Sequence, residues 1–124
     1  MALRRKLVLV LSGVALVMGS FQVVSAHESS SKSDVSIKVT SKGFKGSVTS
    51  SNDDCLDGRK VTLYKQKKKE DKKIDFTETN EDGKWSLKVD DAQGKYYAEV
   101  ARSQETRYLH VHECKGATSS SEEV

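Results

Sequence analysis

Near the end of the chain, Tyr108-Leu109-His110-Val111-His112-Glu113-Cys114 gathers residue types that do chemistry. On an extended strand His110 and His112 share one face, and imidazoles so placed can ligate a divalent metal. Cys114, two positions from His112, has the makeup of a thiol beside its base. A second cysteine, Cys55, changes that reading, because an even count in an exported chain points to a disulfide. A Cys55–Cys114 bridge closes a loop through most of the domain and stabilises it by about 4 kcal/mol on chain-entropy grounds. The histidines leave one alternative standing, a copper or zinc site. His27 joins His110 and His112 as its third candidate, since a histidine at a chain terminus offers both amine and imidazole to copper.

His27 reaches a terminus only if the chain is processed just before it, and the first 26 residues are laid out for that. Met1–Lys6 is basic, Leu7–Met18 is apolar except at Ser12 and Gly13, and Val24-Ser25-Ala26 suits a cleavage site. This is the pattern of a secretory signal peptide, and its apolar run is short for a membrane span. The expected location is secreted or periplasmic, with no stable membrane span after cleavage. Removing the segment also removes Arg4, Arg5 and Lys6 and no acid, so of 21 basic residues 18 remain, against 18 acids. Nucleic-acid binding, suggested by the sequence pI of 8.8, loses its basis.

The elements that must position these residues are legible as strands. Apolar residues recur with period two at Val35, Ile37 and Val39, at Val61 and Leu63, at Ile74 and Phe76, and at Trp85, Leu87 and Val89. Tyr96, Ala98 and Val100 continue the pattern, and Leu109 and Val111 end it; Phe44 and Val48 flank Gly46 on a further short strand. Such alternation buries one face of a strand and wets the other. Ser41-Lys42-Gly43, Ser51–Asp54, Asn80–Gly83 and Asp90–Gly94 supply turns, with Asp82-Gly83 a hairpin signal. The predicted fold class is all-β, a small antiparallel Greek-key sandwich of about seven strands (prealbumin- or immunoglobulin-like) with one disulfide. Its expected organisation is a signal peptide over 1–26, a flexible Ser-rich lead-in over 27–33, the sandwich over 34–115 and a flexible tail over 116–124. Leu109 and Val111 are expected to face the core, with His110 and His112 in water. With no proline in the chain, edge protection falls to charge.

The largest charge run, Lys65–Lys73, lies between two predicted strands and holds Lys65, Lys67, Lys68, Lys69, Lys72 and Lys73. It reads either as a contact with an anionic polymer or membrane surface, or as a solvated, edge-protecting loop. The balancing acids and the lack of interleaved aromatics favour the second. Tyr96 and Tyr97 point to opposite sheet faces, which makes an exposed Tyr97 near lysines a candidate partner surface. Glu78-x-Asn80-x-Asp82-Gly83 imitates half an EF-hand loop, but the twelfth residue is Val89 where a bidentate glutamate is needed. No G-x-S-x-G is present.

Several of these features occur in a characteristic order. They are Phe44-x-Gly46-x-Val48, Cys55-x-x-Gly58-Arg59-x-Val61-x-Leu63-Tyr64, Thr79–Trp85, Gly94-x-Tyr96-Tyr97-Ala98-x-Val100 and Cys114-x-x-Ala117. Together they resemble the carboxypeptidase-regulatory-like, or transthyretin-like, secreted β-sandwich modules. The resemblance implies a noncatalytic module with a binding or structural accessory role and no cofactor, partnered by an extracellular protein or polysaccharide it does not identify. The hydroxyisourate hydrolase branch of that fold carries a Tyr-Arg-Gly-Ser tail, whereas this chain ends Ser-Ser-Glu-Glu-Val, so enzymatic activity is not expected.

Overall fold

The computed structural model describes residues 27–107 and 110–124; the predicted signal segment, Tyr108 and Leu109 lie outside the described residues. Period-two alternation becomes short strands. In order they are β1 (His27–Ser31), β2 (Ser33–Val35), β3 (Lys38–Thr40), β4 (Gly43–Ser50), β5 (Lys60–Lys65) and β6 (Lys72–Glu78). β7 (Lys84–Lys88), β8 (Lys95–Val100), β9 (Ser103–Arg107), β10 (His110–Cys114), β11 (Ala117–Thr118) and β12 (Glu122–Glu123) follow. Among the described residues a 3-10 turn, Asp53–Cys55, interrupts them, capped by Asn52, whose Oδ1 accepts from the Asp54 amide at 2.8 Å.

Two sheets share the core. In the first, β4 is central. β2 and β3 lie along one side of it in one continuous antiparallel register, Val35 opposite Val48 and Lys38 opposite Lys45, and β7 lies along the other. In the second, β5 pairs with β6 and β8, and β11 and β12 add to the far side of β8. Val35, Ile37, Phe44, Val48 and Trp85 from the first sheet bury against Val61, Leu63, Tyr96, Ala98 and Val100 from the second. Every one of these lies on the apolar phase of the alternation, so the pattern that predicted strands also sets which face closes on the core.

The structure departs from the expectations in several places, and Phe76, expected beside Ile74 on a buried face, is 49 % exposed because the β5–β6 register shifts between Leu63 and Tyr64. A third sheet, β9–β10–β1, stands beside the other two, and within it β1 runs parallel to β10. The lead-in expected to be loose over 27–33 therefore contains β1 and the start of β2, and the tail over 116–124 contains β11 and β12. These added strands are polar and carry no apolar alternation, so backbone bonds and a few side-chain contacts hold them and no periodicity announces them. Val111 is half-buried and outside the core cluster. Finally, Asn80–Gly83 turns the chain from one sheet to the other, not back along β6: the Gly83 carbonyl accepts from Val48 N at 2.7 Å, which delivers β7 to β4.

Candidate functional site

The Cys55–Cys114 disulfide is present, with Cα atoms 5.5 Å apart across 59 residues of sequence. It ties the 3-10 turn to the end of β10, and both cysteines are buried. His112 packs against it, with Nε2 3.5 Å from Cys55 Sγ. The ring is held from both sides: Asn52 Nδ2 lies 2.7 Å from Nε2, and Ser29 Oγ lies 2.7 Å from Nδ1. Because Asn52 Oδ1 already accepts from Asp54 N, the amide must present its NH2 to the ring. Nε2 is then the acceptor and Nδ1 carries the hydrogen, donated to Ser29, an assignment that rests on this network. The expectation that His112 stands in water is therefore replaced by a half-buried ring with both nitrogens engaged.

His110 is exposed, and it lines a small pocket of about 90 Å³ with His112, Asp54 and Glu105. The parallel ladder sets the backbone of His27 directly opposite that of His110. His27 and His110 thus meet at one end of this sheet, with His112 at the middle of β10 opposite Ser29, an arrangement the sequence alone left open. Among the described residues, the group of three donors close enough for a metal is Cys55, His112 and Cys114, within 4.8 Å of one another. Its two sulfurs are bonded to each other, so it offers no thiolate.

Arg59 is the residue that sequence reasoning used only as part of a resemblance. It is 2 % exposed, and its guanidinium meets four oxygens. Nη1 donates to Ser33 Oγ at 3.0 Å and Cys55 O at 2.8 Å, and Nη2 donates to Ala101 O and Lys115 O, both at 3.0 Å. Burial lowers its pKa from the ordinary arginine value. Among the described residues no carboxylate bonds to it; three carbonyl dipoles and the Ser33 hydroxyl hold the charge, and they come from four separate segments. Only its position after Gly58, at the start of a strand, could have flagged it.

The charge run forms the tip and flanks of the β5–β6 hairpin. Lys67, Lys68, Lys69, Lys72 and Lys73 are exposed, while Lys65 is half-buried with Nζ 5.9 Å from the Tyr96 ring centroid, apart from the rest. Folding brings to these lysines the aromatics that the linear sequence keeps away. On the outer face of the β6–β5–β8 sheet, Lys73, Tyr64 and Tyr97 form one cross-strand row. Tyr64 and Tyr97 stack with ring centroids 5.3 Å apart and 16° between planes. Next to them Phe76 is 49 % exposed, with Lys60 Nζ 4.7 Å and Lys73 Nζ 5.3 Å from its ring centroid.

Asp71 links the tip to that face. Its Oδ1 accepts from Lys67 N at 3.0 Å and its Oδ2 from Tyr97 Oη at 2.7 Å. Those two donors, the backbone amide first, pull the Asp71 carboxyl below its ordinary range. The same bond pushes the Tyr97 phenol up to about 12. Tyr97 is thus half-buried and fixed by its hydroxyl, its ring stacked on Tyr64.

Comparison of the chain with family models, with curated proteins and with solved structures yields no match.

Proposed function

We propose that this chain is an exported, noncatalytic binding module of the Greek-key, transthyretin-like type, and that the outer face of its β6–β5–β8 sheet takes a polyanion outside the cell. The observation that carries the reading is Phe76, half exposed between two lysines and beside a stacked tyrosine pair. An exposed phenylalanine beside a half-buried, stacked tyrosine pair on one sheet face marks a contact surface. The lysines there and at the adjoining tip add long-range attraction for negative charge. Support for export comes from the layout of the first 26 residues and from the disulfide, which persists in oxidising compartments.

Heparin chromatography tests the reading. Replacing Lys68, Lys69 and Lys72 with serine lowers the salt needed for elution, and each lysine in contact takes about one from the slope of log affinity against log salt. Phe76→Ala lowers retention at fixed salt. Retention unchanged by either variant overturns the assignment. The copper or zinc reading has one geometric point in its favour, His27 opposite His110, and one against, the engaged nitrogens of His112. Polyanion binding is the preferred reading because its surface needs no rearrangement.

A further inference from the structure

The first sheet carries a different surface. Where β3, β4 and β7 meet the end of β6, an open groove of about 730 Å³ is lined by hydroxyl, amide and ammonium groups, with Trp85 among them. Three features mark this groove, and the second and third lower stability.

First, the β-ladder opens at Ser36. Ser47 N donates not to the backbone but to Ser36 Oγ at 3.0 Å, while the Ser36 carbonyl turns over Gly46. A Cβ at Gly46 would stand 1.9 Å from that oxygen, so only glycine allows the arrangement. Second, Trp85 sits opposite Gly46 in the ladder and is 3 % exposed, and its indole Nε1 has no hydrogen-bond partner. A buried donor left unmatched costs about 1–3 kcal/mol. Third, Lys38 lies directly across the ladder from Lys45, and Lys84 stands on β7 opposite Ser47, diagonal to Lys45. All three lysines are exposed, and none forms an ion pair among the described residues. Like charges directly opposite one another destabilise a sheet. An anion seated among the three ammonium groups turns this repulsion into attraction.

We propose that this groove binds a short acidic oligosaccharide of the uronic-acid class. Its carboxylates meet Lys38, Lys45 and Lys84, and its hydroxyls meet Ser47, Asn80 and Glu78. The sugar chemistry follows from the polar groups between the lysines. Asn80 Oδ1 is occupied by the amides of Asp82 and Lys84, which leaves its NH2 to donate outward. Glu78 is an acceptor in the same groove. It would repel a polymer that carries a phosphate on every unit, but it suits a ligand whose neutral hydroxyls alternate with its charges. The site uses none of the hairpin lysines and places its three lysines on the other sheet, so it stands or falls separately from the polyanion face.

Trp85 is the only tryptophan in the chain and reports on this groove. Titrating the full chain with tri-galacturonate gives a saturable change in its fluorescence. Lys45→Ser and Lys84→Ser each weaken binding about tenfold or more, the loss of one charge-assisted contact. Lys45→Arg retains binding, and Lys68→Ser with Lys69→Ser leaves it unchanged; amide spectra establish that each variant is folded. Absence of a saturable change overturns the proposal. Equal affinity for the uncharged galactose trimer, or for inorganic triphosphate, overturns it as well, since either result removes the claimed selectivity.

Discussion

Single residues here do work that their type does not advertise. Arg59 joins the 3-10 turn, β2, the chain after β8 and the chain after β10 through one guanidinium. Arg59→Met keeps the apolar stem and strands four acceptors, two of them buried, and denaturant unfolding is expected to show a loss of about 3 kcal/mol. At Gly46 the expected loss for Gly46→Ala is about 2 kcal/mol in the same assay, because the added methyl meets a backbone carbonyl that cannot move without further opening the ladder. The Tyr97–Asp71 bond has a signature in pH. Asp71 is depressed, so its contribution is complete above the ordinary aspartate range and is lost as pH falls below it. Tyr97 is raised, so its contribution is complete below about pH 10 and is lost as pH climbs towards about 12. Ultraviolet titration should find one tyrosine ionising near 12, and Asp71→Asn should return it towards the ordinary tyrosine value.

At the scale of elements, β1 and the chain termini show how polar segments find structure. His27–Ser31 has no apolar face, yet its backbone satisfies one side of β10, and Ser29 fixes the His112 ring against the disulfide. Deleting residues 27–31 leaves the β10 amides and carbonyls without that partner. Hydrogen exchange over His110–Cys114 is then expected to quicken several-fold while β4 and β5, deep in the other sheets, keep their protection. Unchanged exchange in β10 would mean that β1 does not hold it. The β5–β6 hairpin is organised by the opposite means. Its six-residue tip is closed by Asp71 accepting from Lys67, and its charge stays in water beside the aromatic row of the sheet.

Across the whole molecule, one covalent link and one buried cation join what the two core sheets do not. The disulfide and Arg59 both act at the end where the 3-10 turn meets β10, so the third sheet is fastened there and not through a shared apolar core. Replacing both cysteines with serine is expected to lower stability by about 4 kcal/mol, a large part of a typical total of about 5–15 kcal/mol. Calorimetry of that double variant checks it. A loss below about 1 kcal/mol would mean that the packing alone holds the turn to β10.

Local chemistry was enough to determine a good deal. Period-two alternation set most of the strands and their buried faces, because burying one side of a pleated chain requires it; Phe76 is the exception, turned outward where the β5–β6 register shifts. The two cysteines determined their own pairing, since no other partner existed. Side-chain patterns carry no such information about polar strands, which are held mainly by backbone bonds, so β1, β9, β11 and β12 appeared only in three dimensions. The same holds for neighbours distant in sequence. The tyrosine pair beside the lysines, the ring of His112 between Ser29 and Asn52, and the groove around Trp85 all depend on register between strands. Register is decided by the closing of the whole core and not by any one segment. The stretch that looked most like chemistry became a fastening, while the surfaces proposed for binding lie on two other sheets.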